Sequence, residues 1–233
     1  NMAQTALVTG AGKGIGRAIA LRLAALGYDL FLLGRDANAL AAVKAECTAL
    51  SAKADFLAGD LRESKYIADA LRAARARFGP INVLINNAGA VQRGAVQDAD
   101  LDAWRAVLDL NFGAVMALTR NALPEMIERR QGAIINISSI SGRHTNAGSA
   151  IYAASKHAVQ GFTGCLFDDV REFGIKVSSI MPGFVDTALT ASFGMRTERM
   201  IRPEDIADAV AFVLASSGHC CPTEIVIRPQ LAP

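Results

Sequence analysis

The chain lacks any block of like charge. Its 233 residues carry 24 Lys and Arg against 22 Asp and Glu, a formal net charge of +2. So even a balance argues against a nucleic-acid-binding surface. The arginine clusters in "AARARF" and "IERRQG" read as the polar sides of helices. Cysteine is scarce. Cys47, Cys165, Cys220 and Cys221 show no metal-ligand spacing, and adjacent Cys220 and Cys221 cannot comfortably share one ion. His219 beside them adds little, so no metal is expected, and a reduced, cytoplasmic protein is the simplest reading. No apolar run is long enough to span a membrane. The opening "NMAQTALVTG" runs straight into a strand-like segment and offers no signal peptide. Linkers, repeats and low-complexity segments are missing too, which leaves a single domain over residues 1–233.

What is there is an alternation. Short apolar runs, "TALVTG", "DLFLLG", "ADFLAG", "INVLINN", "GAIINIS", "IKVSSIMPG" and "EIVIRP", are separated by longer helix-patterned segments. Those segments run over Gly14–Leu26, Asp36–Leu50, Glu63–Phe78, Asp100–Leu110, Gly113–Arg130, Ile151–Phe173 and Pro203–Ala215. Several of the short runs are apolar throughout, as parallel strands covered on both faces are. The pattern predicts a doubly wound Rossmann-type α/β fold, with a mostly parallel seven-stranded sheet and helices on both faces. Ligands in such sheets bind beyond the carboxyl ends of the strands.

The first of those ends carries "VTGAGKGIGRAIA". Ile15 occupies the third slot of G-x-G-x-x-G, so the usual dinucleotide fingerprint is out of register. Gly10, Gly12, Gly14 and Gly16 nonetheless exceed what a tight turn needs. Glycines let the backbone approach a pyrophosphate facing the positive end of a helix. The second strand ends "FLLGRD". Gly34 stands where an acid would hold a ribose 2′-hydroxyl, and Arg35 follows it. Arg35, with Lys13 from the first loop, suits a 2′-phosphate, so NADP(H) is preferred and NAD(H) remains possible. Asp36 sits where a helix N-cap belongs.

Near the other end of the chain lies "SAIYAASKHAVQGF". Tyr152 and Lys156 are four residues apart, one helical turn on one face. Taken alone, such a pair is a half-buried tyrosine and a solvated lysine.

In this order and spacing the motifs resemble the short-chain dehydrogenase/reductase family, from Thr5 to about Pro229. Thr9, Gly10, Gly14 and Gly16 match its T-G-x-x-x-G-x-G, and "NNAG" (Asn86 to Gly89) follows the fourth strand as in the family. "GDL" (Gly59 to Leu61), Asn111 in "LDLNFGAV", Ser139 thirteen residues before Tyr152, "YAASK" and "MPGFVDT" complete the set. The resemblance implies that Asn111, Ser139, Tyr152 and Lys156 are catalytic. Tyr152 would be the acid/base, with a phenol pKa lowered from about 10 by the Lys156 ammonium and by an oxidised nicotinamide ring nearby. Ser139 would hold the substrate oxygen, Lys156 the nicotinamide ribose, and Asn111 a water that leads to Lys156. Cofactor contacts are implied for Gly10, Lys13, Gly14, Ile15, Gly16, Arg35, Asp60, Leu61, Asn87, Ala88, Gly89, Tyr152, Lys156, Pro182, Gly183, Val185 and Thr187.

The expected activity is hydride transfer between NADP(H) and a small carbonyl or alcohol, such as a 3-oxoacyl compound or a 3-hydroxy acid. The ending "RPEDIADAVAFVL…TEIVIRPQLAP" is similar to the branch that acts on 3-hydroxy acids such as serine. The alternatives are an NAD(H)-linked relative and a dinucleotide sensor without turnover. Residues 184–202 should cover an open substrate pocket; Phe193, Met195 and Met200 either line it or pack. His144 either touches substrate or lies at the surface, while Trp104 and Cys165 read as packing residues. The apolar breadth of "FGAVMALTRNALPEMI" and "HAVQGFTGCLFDDV", together with the resemblance, points to a homodimer or homotetramer.

Overall fold

The computed structural model describes residues 4–191, 194 and 196–233. Seven strands form one sheet: β1 (Thr5–Thr9), β2 (Asp29–Gly34), β3 (Ala54–Ala58), β4 (Ile81–Asn86), β5 (Gly132–Ile137), β6 (Ile175–Pro182) and β7 (Glu224–Ile227). Their order is β3-β2-β1-β4-β5-β6-β7 and every pairing is parallel. The order reverses between β1 and β4, so the loops after these strands diverge and open a crevice.

Between the strands lie α1 (Gly14–Ala25), α2 (Ala37–Ala49), α3 (Ser64–Phe78), α4 (Leu101–Leu108), α5 (Ala114–Arg129), α6 (Ala150–Val170) and α7 (Pro203–Ala215). Two apolar clusters cover the two faces of the sheet. One joins α1, α2 and α7 to the sheet through Ile19, Leu23, Leu40, Val43, Ile206 and Val210. The other joins α3, α5 and α6 through Ile67, Leu71, Leu118, Met126, Leu166 and Val170. The strands read as unbroken apolar runs because both of their faces are buried in this way. Asp36 caps α2, its carboxylate accepting from the backbone N–H groups of Asn38 (2.9 Å) and Ala39 (3.1 Å).

Between α4 and α5 the chain does not break. Residues Asp109–Gly113 form one π-helical turn, and Asn111 lies inside it, buried. Such a turn inserts a residue without ending the helix and so re-aims one side chain. Among the described residues, no helix is long and apolar enough to cross a membrane.

Candidate active site

The junction of β1 and β4 is tied by Thr9. Its hydroxyl donates to the Ile85 carbonyl (3.2 Å) and accepts from the N–H groups of Asn87 (2.9 Å) and Ala88 (3.0 Å). The Asn87 side chain donates to the Thr9 carbonyl (2.9 Å). The "NNAG" segment is thus locked against the glycine loop. Gly16 is confined there, since an added Cβ would lie 2.1 Å from the Gly10 carbonyl oxygen. Gly14 opens α1 at φ +52°, and a Cβ on it would sit 3.1 Å from Thr187. That contact brings the loop after β6 over the start of α1. Residue 13 stands at the N-cap without a side-chain cap, and the first turn holds no acid. The first N–H groups of α1 therefore present an uncompensated positive end.

Lys13 and Arg35 are both exposed near this mouth. Asp60 follows β3 and is gripped by Arg62, whose Nε lies 3.0 Å from both carboxylate oxygens. Arg62 pushes the Asp60 carboxyl down to about 2 by this bonding, and its backbone N–H and the charge of Arg35 act in the same direction. Arg62 was not legible as a site residue, because nothing in its spacing marks it. Leu61 is buried in the core, so only its backbone can face a ligand. Pro182 and Val185 are buried, Gly183 and Ile15 half-buried.

The second half of the site gathers around Lys156. The residue is 5% exposed; its ammonium donates to the Ile137 carbonyl at 2.9 Å and lies 5.8 Å from the centre of the Tyr152 ring. Burial pushes its pKa down from 10.5 to about 8. A Cβ on Gly89 would sit 3.7 Å from this ammonium and 3.3 Å from Asn111 Oδ1, so the end of β4 approaches both. Asn111 Oδ1 accepts from the Ala90 N–H (2.8 Å), and Nδ2 donates to the Ala90 carbonyl (2.9 Å) and to Ser155 Oγ (3.0 Å). Ser155 in turn donates to the Tyr152 carbonyl (2.7 Å). The side chain of Asn111 is therefore a strut between the β4 loop and α6.

Ser139 acts on the Tyr152 phenol by hydrogen bonding, in the direction that favours its ionised form. Ser139 begins the short turn of 140–142 after β5, its Oγ accepting from the Ser141 N–H (3.1 Å). The expected depression of the tyrosine pKa is not what these side chains produce by themselves. Burial pushes Tyr152 up, and the opposing influence is the Ser139 hydrogen bond rather than Lys156. The lysine ammonium lies over the Tyr152 ring and donates to the Ile137 carbonyl.

Of the remaining expectations, His144 is exposed, Trp104 half-buried, and Cys165 exposed rather than packed within the chain. Phe193 and Met195 lie outside the described residues. Met200 is buried and borders two open clefts of about 430 and 490 Å³, neither of which includes Tyr152.

The model of the short chain dehydrogenase family matches residues 4–197. The chain belongs to that family. It is 36% identical over 224 residues to an uncharacterized oxidoreductase of Staphylococcus aureus (strain MRSA252), covering 96% of each chain. Among solved structures it is similar to a variant of the actinorhodin polyketide ketoreductase with NADPH: TM-score 0.91, 30% identity, 98% and 97% of the two chains covered. A metagenomic short-chain oxidoreductase in complex with NADP gives a TM-score of 0.87 at 34% identity, with 99% of each chain covered. This member of the short-chain dehydrogenase family is an oxidoreductase dependent on a nicotinamide dinucleotide.

The buried lysine has a thermodynamic signature. The folded chain releases the Lys156 proton near pH 8, whereas the unfolded chain holds it to about 10.5. Between those values the unfolded state binds more protons, so this group makes stability rise with pH; below pH 8 its full penalty is present. Cys47 and the tyrosines, all raised by burial, act oppositely at higher pH. The readout is therefore the difference between the wild type and Lys156→Met in denaturant melts of the cofactor-free protein. Lys156→Met is expected to be the more stable at pH 7, with the advantage shrinking from pH 8 to 10. A difference independent of pH would remove the buried ammonium from the account.

Proposed function

We propose that the protein transfers hydride between NADP(H) and a small carbonyl or alcohol, with Tyr152 as acid/base. One observation carries this reading: the buried Lys156 ammonium lies 5.8 Å from the centre of the Tyr152 ring, with Ser139 at the neighbouring end of β5, in the crevice that the uncapped start of α1 also faces. The residues fit the cofactor. The glycine loop leaves a cradle, the α1 amides suit a pyrophosphate, and Gly34 followed by Arg35 suits a 2′-phosphate. Two similar solved structures were obtained with NADPH or NADP, which supports the same preference.

When bound, the dinucleotide supplies or accepts the hydride. The chain supplies the proton and the orientation. Ser139 donates to the substrate oxygen and holds it beside the Tyr152 hydroxyl. Tyr152 passes its proton to that oxygen during reduction and takes it back during oxidation. Lys156 holds the ribose hydroxyls and favours the phenolate by its charge. Ser139 and Lys156 are buried, which keeps their polar groups out of bulk water. Substrates of the 3-oxoacyl or 3-hydroxy acid type are the first to test, and a sensor without turnover is disfavoured because all four polar groups are in place.

Two outcomes check the proposal. Nicotinamide absorbance should change with NADPH and at least one member of a panel of ketones, aldehydes and hydroxy acids. Arg35→Ala should weaken NADPH binding by the roughly 1.5–3 kcal/mol of a charged hydrogen bond and leave NADH almost unchanged. Equal losses for both cofactors would assign the 2′-phosphate elsewhere.

We further propose a homo-oligomer packed through α4, α5 and α6. Leu101, Leu108 and Met116 are exposed at 60%, 37% and 41%, and Cys165 and Gly164 are exposed on α6. Sedimentation at micromolar concentration should give a dimer or tetramer; a monomer at every concentration contradicts it.

A further inference from the structure

We propose that Gln160, Glu224 and Arg143 form a polar clasp that holds the loop bearing Ser139 against the helix bearing Tyr152, which makes them positioning residues. The inference rests on the acid/base reading of Tyr152. On α6, Tyr152, Lys156 and Gln160 recur every four residues and share one face. The first two point into the crevice. The third has no part in the reaction, yet its amide is engaged on every side.

Gln160 Nε2 donates to Met181 Sδ at 3.0 Å and reaches Glu224 Oε1 at 3.4 Å. Its Oε1 accepts from the Ser179 hydroxyl. Ser179 and Met181 lie on β6, and Glu224 is paired with Ser179 at the start of β7. The other oxygen of Glu224 takes the guanidinium of Arg143. Arg143 stands four residues after Ser139, just past the turn of 140–142. Within that turn Gly142 leaves no room: an added Cβ would lie 2.9 Å from Gln160 Cγ and from the Lys156 carbonyl oxygen. The path Gln160–Glu224–Arg143 therefore closes a ring between the two segments that supply Ser139 and Tyr152. What it sets is how closely the turn bearing Ser139 approaches the helix bearing Tyr152.

An ion pair half-exposed on both sides, 45% and 46%, contributes little to global stability. Its leverage lies in position, because small displacements of a reacting group lower turnover steeply. The test uses the full chain with Arg143→Ala, Glu224→Ala and the charge-reversed pair Arg143→Glu with Glu224→Arg. Each single variant should lower kcat about tenfold, with the NADPH dissociation constant and the thermal midpoint nearly unchanged. The reversed pair should regain most of the loss. Glu224 lies on β7, outside the crevice, so an equal effect there separates positioning from direct contact between Arg143 and substrate.

A second readout does not need turnover. Tyrosinate absorbance, taken as the difference from the matching Tyr152→Phe protein, gives the Tyr152 midpoint. Loss of the Ser139 hydrogen bond should move that midpoint upward in both single variants. If it stays in place and kcat holds, the clasp positions nothing. If the wild type turns over no carbonyl or alcohol, the acid/base reading fails while the absorbance titration still decides the clasp. Losses in the single variants that the reversed pair does not restore would likewise overturn it.

Discussion

The ammonium of Lys156 is the group that this fold takes out of water. A buried cation is costly unless something compensates it, and here the compensation comes from the Ile137 carbonyl at the end of β5 and the face of the Tyr152 ring. The residual cost is visible in the pKa, pushed down to about 8. The surrounding polar groups are arranged to support that placement. Asn111 reaches from its π-turn to Ala90 and Ser155, which fixes how closely the β4 loop and α6 approach. Gly89 permits the approach because no side chain stands between it and the ammonium. The Tyr152 phenol beside the lysine is pushed up by burial, so desolvation opposes the charged form of both groups.

The second constraint is the crossover of β1 and β4. Thr9 joins the two strands where their following loops diverge, so the glycine loop and the "NNAG" segment are tied together. The loop after β6 then closes from the other side through the contact of Thr187 with the Gly14 position. The crevice is therefore walled by three strand ends, and α6, which bears Tyr152 and Lys156, forms its fourth side.

The sheet was legible in the sequence because parallel strands covered on both faces leave unbroken apolar runs. Asp36 was legible as a cap because a carboxylate just before a helix has one obvious pair of donors. Tyr152, Lys156 and Ser139 were legible through spacing, and the structure brings them together. Other parts were not. Nothing in "LDLNFGAV" distinguishes a π-turn from a plain helix, since the difference lies in which carbonyl each N–H finds. The Arg62 fork on Asp60 and the ring through Gln160, Glu224 and Arg143 depend on tertiary proximity between segments with no shared periodicity. The upward push of burial on Tyr152 was not legible either, because a one-turn spacing sets the face but not the degree of burial.

The central claim is that the Tyr152 hydroxyl carries the proton and that the rest of the ring only packs. Tyr152→Phe keeps the ring and removes that hydroxyl alone. NADPH affinity, followed by nicotinamide fluorescence, should be retained, while turnover with the carbonyl identified by the panel falls by at least the ~10²–10⁴-fold typical of a general acid–base group. Retained binding with near-normal turnover would contradict the account, because the proton would then come from another group.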